Sequence, residues 1–246
     1  MMETLNKNKQ FTVYGADCKR RDFLRKGVKL GTLAAVTGMS LLSACKEESE
    51  EEGEVTPSED LMREHGVMNR ILLIYDTCKL HLTNNEPFDL AVLNNSAQII
   101  RTFIEDYHEK LEEDYLFPRF EKANRLTDLV QVLRSQHKAG RILTDRIMEF
   151  GKMKSLAGMD ENQKLVKLLG DFNGMYRPHG SREDTVLFPA IREIVSKNEY
   201  FALGEDFERK EHELFGEDGF EAMVEKVAII EKQLEIYDLS QFTPKL

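Results

Sequence analysis

Apolar residues recur every three or four positions along most of the chain beyond residue 56, and this spacing is typical of amphipathic helices. No segment shows a convincing strand pattern. The periodic stretches predict four helices followed by one or two more, over residues 58–85, 89–116, 127–153, 160–187 and 206–234. The sequence therefore predicts an all-α fold, an up-and-down four-helix bundle with one or two extra C-terminal helices.

Local signals mark the ends and irregularities of these helices. Thr56-Pro57-Ser58 supplies a cap for the first helix. The fourth helix contains Gly170, Gly174 and Pro178, and we expect it to be the least regular, with a kink just before its polar cluster.

A run of residues with metal-ligand chemistry occurs twice, 71 residues apart. A His and a Glu four positions later lie on one face of a helix, where both can bind the same ion. Each run continues into Leu-Phe-Pro, and the proline is expected to end or kink the helix. The two runs are His108-x3-Glu112 before Leu116-Phe117-Pro118, and His179-x3-Glu183 before Leu187-Phe188-Pro189.

A further histidine precedes each run, 43 residues before it in the first copy and 42 in the second. Four helices that each direct one ligand cluster inward place a metal site in the middle of a bundle. We predict two ions, each bound by two imidazoles and bridged by two carboxylates. The predicted ligands are His65, His108, Glu112, His137, His179 and Glu183.

Two histidines fall outside this pattern. His81 follows His65 by sixteen residues, which turns it about 160° around the helix, so we predict that it points away and is exposed. His212 is assigned to the surface of an outer helix, and its contribution to the site is left open.

The N-terminal segment carries the marks of an export signal. Lys19-Arg20-Arg21-Asp22-Phe23-Leu24 matches a twin-arginine (Tat) signature, and the apolar stretch 31–42 is too short to span a bilayer. Leu42-Ser43-Ala44-Cys45 resembles a bacterial lipobox, which implies cleavage before Cys45 and a lipid on its thiol. The predicted organisation is a lipoprotein signal peptide at 1–44, an acidic linker at 45–56, the metal-binding bundle at 57–195 and a C-terminal extension at 196–246. The protein is then expected at the extracytoplasmic, periplasmic-side face of a bacterial membrane.

Net charge and cysteine content limit the binding partners and the disulfides that are expected. Cleavage removes eight basic and three acidic residues, which takes the formal net charge from −10 to −15, and so acidic a chain is not expected to bind nucleic acid. With Cys18 removed and Cys45 lipidated, Cys78 is left alone and is predicted to be a small buried residue.

From about residue 58 to residue 195 the chain resembles the hemerythrin-like, or HHE cation-binding, family, through the two His-x3-Glu runs that precede Leu-Phe-Pro. The resemblance implies a four-helix bundle with a carboxylate-bridged di-iron site. Oxygen-carrying members have His-x3-His on the third helix, whereas this chain has His137-x3-Arg141, and a guanidinium cannot ligate. The chain is more similar to the four-His, two-Glu branch, which includes di-iron proteins implicated in nitric-oxide stress and iron–sulfur cluster repair.

Competing metal chemistries fit less well. Ferritin-like sites need two Glu-x-x-His pairs, and only Glu105-x-x-His108 is present. Structural zinc usually takes four ligands including thiolate, so six ligands without cysteine suit two iron or manganese ions better than zinc. Iron is the leading choice.

Three functions remain open from the sequence. The site can bind or sense O2 or NO, it can act as a di-iron oxidoreductase or in iron–sulfur repair with a redox partner protein, or it can sequester metal. Tyr107 and Tyr176 lie near ligands in the sequence and could serve redox chemistry, although core packing is the favoured interpretation.

Overall fold

The computed structural model describes residues 55–245, and within that range it is built from helices with no strand. The predicted signal peptide and nearly all of the acidic linker lie outside these residues. The first four helices are α1 (Pro57–Asn84), α2 (residues 91–122), α3 (Thr127–Gly151) and α4 (residues 159–194). The C-terminal helices are α5 (Lys197–Phe215) and α6 (Gly219–Gln233), followed by a short 3-10 turn, Leu239–Phe242.

The start of α1 follows the predicted cap. The Glu59 N–H donates to the Thr56 hydroxyl (3.3 Å) and the Thr56 N–H donates to the Glu59 carboxylate (3.0 Å), which completes a capping box around Pro57. A similar signal begins α5, where the Ser196 hydroxyl accepts from the Glu199 N–H at 3.2 Å. Helix α5 therefore starts nine residues before position 206, where the sequence predicted its start.

Helices α1 to α4 form a ring in which α1 packs on α2 and α4, and α3 packs on α2 and α4. The core inside the ring is apolar and aromatic, with Tyr75 and Phe172 almost fully buried. This arrangement confirms the all-α bundle.

Helices α5 and α6 pack mainly on the outer side of α1 and α2. Phe215 of α5 makes an edge contact with Phe103, and Glu231 of α6 accepts from Arg70 of α1 at 2.9 Å. The extension therefore covers one half of the bundle.

The two Leu-Phe-Pro prolines do not end their helices, which continue to Lys122 and Ile194. Instead, a π turn precedes each proline segment, over Glu112–Leu116 and Glu183–Leu187. In each turn the N–H of the following Phe donates to the carbonyl of the Glu five residues earlier. The wider turn accommodates a proline without breaking the helix, and π turns of this kind are frequent at functional sites.

The expectation that α4 would be the least regular helix was wrong. Met159–Arg182 is one continuous α-helix with Pro178 inside it. The proline ring approaches the carbonyl four residues earlier, which belongs to Gly174, and a glycine backbone can adjust to that contact. The long irregular segment lies in α2 instead, where Ile100–His108 is a π-helix.

Within residues 55–245, no helix combines the length and the apolar character needed to cross a membrane. Cys78, predicted to be buried, is fully enclosed on α1.

Candidate metal centre

The bundle brings the six predicted ligands together in its interior. One ligand comes from α1, two from α2, one from α3 and two from α4. All six are nearly inaccessible to solvent, and the most exposed of them, His179, has a relative exposure of 4%. The six side chains are His65, His108, Glu112, His137, His179 and Glu183.

The imidazoles form two pairs. The ring centroids of His65 and His108 are 4.7 Å apart, and those of His137 and His179 are 5.1 Å apart. The two imidazoles of each pair can therefore bind the same ion.

Each carboxylate lies between one histidine of the first pair and one of the second. Glu183 is 3.4 Å from Nε2 of His65 and 3.1 Å from Nε2 of His179. Glu112 is 3.4 Å from Nε2 of His137 and 3.9 Å from Nε2 of His108. Carboxylates in these positions can link two metal ions.

The donor atoms are close enough to share ions. In each of two groups, the donor atoms lie within 4.8 Å of one another. Glu183 belongs to both groups. The first group is His65, His108 and Glu183, and the second is Glu112, His137, His179 and Glu183.

Unpaired polar atoms show that this donor set fits a metal. Both oxygens of Glu112 and Glu183 are buried without a hydrogen-bond partner among the described residues, as is Nε2 of His108 and of His137. Burying such atoms unsatisfied costs free energy, and cations bound between them would remove that cost. Imidazole and carboxylate donors without thiolate suit iron or manganese.

The outer nitrogen of each imidazole is held by a residue next to a ligand in the sequence. Nδ1 of His65 lies 2.7 Å from Asp184 and Nδ1 of His108 lies 2.6 Å from Glu64. These contacts orient the rings so that Nε2 points to the centre.

The second pair repeats this arrangement with different residues. Nδ1 of His137 lies 3.1 Å from Glu113, and Nδ1 of His179 lies 2.9 Å from the side-chain oxygen of Gln136. In both copies, the residue after the Glu ligand and the residue before the first histidine serve as outer partners.

The Leu-Phe-Pro phenylalanines pack on ligands of the opposite half. Phe188 stacks on His65 and Phe117 stacks on His137, each with ring centroids 5.5 Å apart. Both phenylalanines are fully buried, so they fix the imidazole planes and keep water away from the rings.

Without a metal ion, protonated imidazoles balance the carboxylates. Burial lowers the pKa of His65, but the hydrogen bond to Asp184 and the nearby charge of Glu183 outweigh burial and raise the pKa to about 10. His137 follows the same pattern on its own two carboxylates, and its pKa also rises to about 10.

Among the other ligands, the pKa of Glu112 is raised, whereas the pKa values of Glu183 and His108 are lowered. Burial and the neighbouring Glu183 raise the pKa of Glu112 to about 8. Burial raises the pKa of Glu183 too, but His179 and His65 outweigh it and hold that pKa well below its usual value. Burial and the charge on His65 hold the pKa of His108 well below its usual value. Cations bound here would replace protons that the metal-free centre holds.

A polar network that the sequence did not predict lies behind the second pair. Arg141 donates to Glu109 at 2.8 Å and to Glu113 at 2.9 Å, and the Tyr176 hydroxyl donates to Glu109 at 2.9 Å. Gly140 makes room for that hydroxyl, because a Cβ there would lie 2.0 Å from it. Arg141 therefore braces the outer partner of an imidazole rather than an ion.

The histidines outside the repeat take no part in either donor group. His81 is half-buried rather than exposed, with Nδ1 3.6 Å from Glu86 and its ring against Phe88, so that part of the prediction was wrong. His212 lies 3.9 Å from Glu208 on α5.

Glu105 and Tyr107, which lie close to His108 in the sequence, make hydrogen-bond and packing contacts within the bundle. Glu105 accepts from Thr144 at 2.5 Å and from Arg101 at 2.9 Å, outside both donor groups. Tyr107 is buried and packs on Phe103 and Phe215.

The fold and the site together define a helical-bundle protein with clusters of His and Glu that can hold metal cations. The chain belongs to the hemerythrin family, because the hemerythrin HHE cation-binding domain matches residues 56–191, more than half of its length.

Curated relatives extend the likeness beyond this domain. Uncharacterized proteins from Mycobacterium tuberculosis (strains H37Rv and CDC 1551) and Mycobacterium bovis are each 47% identical over 223 residues. The alignment covers 86% of this chain and 88% of each relative. No solved structure matches the chain.

Proposed function

We propose that this protein is an exported non-haem di-iron protein that binds or senses a diatomic ligand, O2 or NO, at a site of four histidines and two glutamates. The observation that carries the proposal is the set of buried, unpaired oxygens on Glu112 and Glu183, each placed between two imidazoles. Those atoms are satisfied when two cations lie among them.

The donor count leaves room for a small ligand. Two imidazoles and two shared carboxylates would give each cation four protein ligands, fewer than octahedral geometry takes. A bound ferrous pair would supply electrons and open coordination positions for a diatomic molecule. The chain's own contribution is to orient the four rings through their Nδ1 partners and to exclude water with Phe117 and Phe188.

A second candidate, a di-iron oxidoreductase or iron–sulfur repair protein that works with a redox partner protein, is favoured by Tyr176. This tyrosine is buried, its ring centroid lies 5.6 Å from that of His179, and its hydroxyl donates to Glu109. A phenol in that position could exchange an electron with the centre while Glu109 takes its proton.

Iron content and visible spectra of the purified protein test the proposal. We expect about two iron ions per chain, and a spectrum that changes when O2 or NO is added to the anaerobic ferrous protein and reverses on its removal. Sustained consumption of a reductant would favour the oxidoreductase, and iron without any spectral response would indicate sequestration. A colourless protein that contains only zinc contradicts the di-iron proposal.

The export proposal rests on the twin-arginine and Leu-Ser-Ala-Cys motifs, and a lipid on Cys45 would anchor the protein at the periplasmic side of a membrane. Replacing Arg20 and Arg21 by Lys should trap a precursor in the cytoplasm, and Cys45→Ala should abolish lipid labelling. Normal export and lipidation of the double-Lys variant would contradict the Tat assignment.

A further inference from the structure

Three buried carboxylates meet where α5 packs on α1, outside the two donor groups of the metal centre. Asp60 and Glu64 lie one turn apart on the same face of α1, and Glu211 reaches them from α5. Their exposed fractions are 9%, 1% and 6%. One oxygen of each acid lies within 4.8 Å of an oxygen of the other two. These three residues are the acid group.

Contacts from outside hold two members of the acid group in place. The Phe220 N–H, at the start of α6, donates to Oε1 of Glu211 at 2.7 Å. On α1, Oε2 of Glu64 lies 2.6 Å from Nδ1 of His108. The acids therefore keep their positions without having to contact one another.

The like charges of the acid group are only partly balanced by protein cations. Arg63 lies at the edge of the group, 3.4 Å from Asp60, but its side chain is 33% exposed and its guanidinium also sits 4.3 Å over the Phe220 ring. Burial and the neighbouring charges of Asp60 and Glu211 raise the pKa of Glu64 well above its usual value. Carboxylates buried together in this way need a proton or a cation among them.

A fourth oxygen is directed into the acid group from α2. The side chain of Tyr107 is 1% exposed, and its hydroxyl lies beside Glu64 but completes no hydrogen bond among the described residues. Burial raises the pKa of this hydroxyl, and the charges of Glu64, Glu211 and Asp60 raise it further, so it lies close to all three acids. A buried hydroxyl oxygen without a hydrogen bond has lone pairs available to a cation.

Oxygen donors without nitrogen or sulfur suit a hard divalent cation. Ca2+ takes oxygen ligands at about 2.3–2.6 Å and Mg2+ at about 2.0–2.1 Å, so oxygens on opposite sides of one ion lie about 4–5 Å apart. The spacing within the acid group is compatible with this distance. The imidazoles of the metal centre instead suit transition metals.

We propose that Asp60, Glu64 and Glu211, with the hydroxyl of Tyr107, form a separate site for a Ca2+ or Mg2+ ion that joins α5 to the bundle. Glu211 lies beyond residues 56–191, which match the HHE domain, so the site needs the C-terminal extension as well. The inference goes beyond the proposed function and does not depend on which ion the metal centre binds.

Calorimetric titration of the purified protein with Ca2+, and separately with Mg2+, tests the site and shows which ion it prefers. We expect about one ion per chain to bind and to raise the melting temperature. Glu211→Gln keeps a side-chain oxygen for the Phe220 N–H but removes one charged ligand. It should weaken Ca2+ binding about 100-fold, because affinity for Ca2+ depends on the number of charged ligands. Glu205→Gln removes an exposed carboxylate from the same helix and should leave binding unchanged.

Luminescence of Tb3+, a lanthanide that takes oxygen ligands as Ca2+ does, locates the bound ion. The chain contains no tryptophan, so tyrosine transfers the excitation to the lanthanide. Tyr107→Phe should remove most of the sensitised emission. Tyr237→Phe, at an exposed tyrosine after α6, should leave the emission unchanged.

No binding of either cation, or emission that Tyr107→Phe leaves unchanged, would overturn the inference. So would Ca2+ binding that survives Glu211→Gln and disappears with Glu183→Gln, because the ion would then lie in the metal centre. Melting curves without added cation check that Glu211→Gln is folded, and Asp60→Asn removes a charged ligand from α1 as a second variant.

Iron content separates this inference from the proposed function. Glu211→Gln should lose Ca2+ binding and keep the iron content of the unmodified protein. A protein that takes up no iron but still binds Ca2+ at the acid group would contradict the proposed function alone.

Discussion

The two halves of this bundle, α1–α2 and α3–α4, contain the same inner chemistry in different surroundings. Each half supplies two histidines and one glutamate. The first half is covered by α5 and α6 and backed by buried acids. The second half is not covered to the same extent, and α3 presents the apolar side chains of Val132 and Ile142 with exposed fractions of 53% and 55%. The two halves of the duplication therefore keep the same inner side chains, while the contacts around those side chains differ.

The strongest effect is expected at Glu112 and Glu183, because each lies near one histidine of either half. Glu112→Gln or Glu183→Gln should reduce metal content close to zero, because each carboxylate would bind both ions in the proposed site. The loss of bound metal should also remove stabilisation of about 4 kcal/mol at a metal concentration 1,000 times the Kd. Metal analysis and melting curves measure the two effects.

Glu105→Gln is the matched control, because it changes another buried carboxylate of α2 that lies outside both donor groups. It should keep two metals per chain. Full occupancy in either ligand variant would refute the carboxylate-bridged site.

Acid should weaken metal binding in both halves. In the metal-free centre, the pKa of His65 and of His137 is raised to about 10 and that of Glu112 to about 8, so all three hold a proton at pH 7. Metal ligands must lose those protons, so uptake should release about three protons per chain and affinity should rise with pH from 6 to 8. Calorimetry in buffers of different ionisation enthalpy counts the protons, and binding without proton release would contradict this charge balance.

Removing one imidazole should weaken metal binding in its own half more than in the other half. His65→Ala and His137→Ala should each retain about one metal per chain, since each removes a ligand from one ion only. His81→Ala should retain two, because His81 lies against Glu86 and Phe88 outside the donor groups. Loss of both metals from His137→Ala alone would show that the halves do not bind independently.

A smaller effect is expected from the packing that is specific to the second half. Gly140→Ala places a Cβ against the Tyr176 hydroxyl and should destabilise the protein by about 1–3 kcal/mol. Gly66→Ala, on α1, meets no atom within 4 Å and should be neutral or stabilise by about 0.4–1 kcal/mol. Denaturant unfolding of both variants measures the difference, and equal effects would contradict the close contact between α3 and α4.

The sequence predicted the fold and the six side chains that the structure brings together, because the ligands repeat with their helical context. It did not predict their outer partners. Asp184, Glu64, Glu113 and Gln136 each adjoin a ligand along the chain, but each contacts a histidine of a different helix, and only tertiary packing determines that contact.

Local backbone details were also missed, for physical reasons. A proline usually ends a helix, but here a π turn before each Leu-Phe-Pro segment allows the helix to continue. The start of α5 could have been found from Ser196-x-x-Glu199, which is a capping signal. The half-burial of His81 depends on Phe88 in the following loop, which helical phase alone does not reveal.

The most direct test of the central claim is an anomalous difference map at the iron edge from crystals of the iron-loaded protein. We expect two peaks about 3.5–4 Å apart, the usual separation in two-metal sites. One peak should lie beside His65 and His108 and the other beside His137 and His179, with Glu112 and Glu183 between them. A single peak, or two peaks away from these carboxylates, would contradict it.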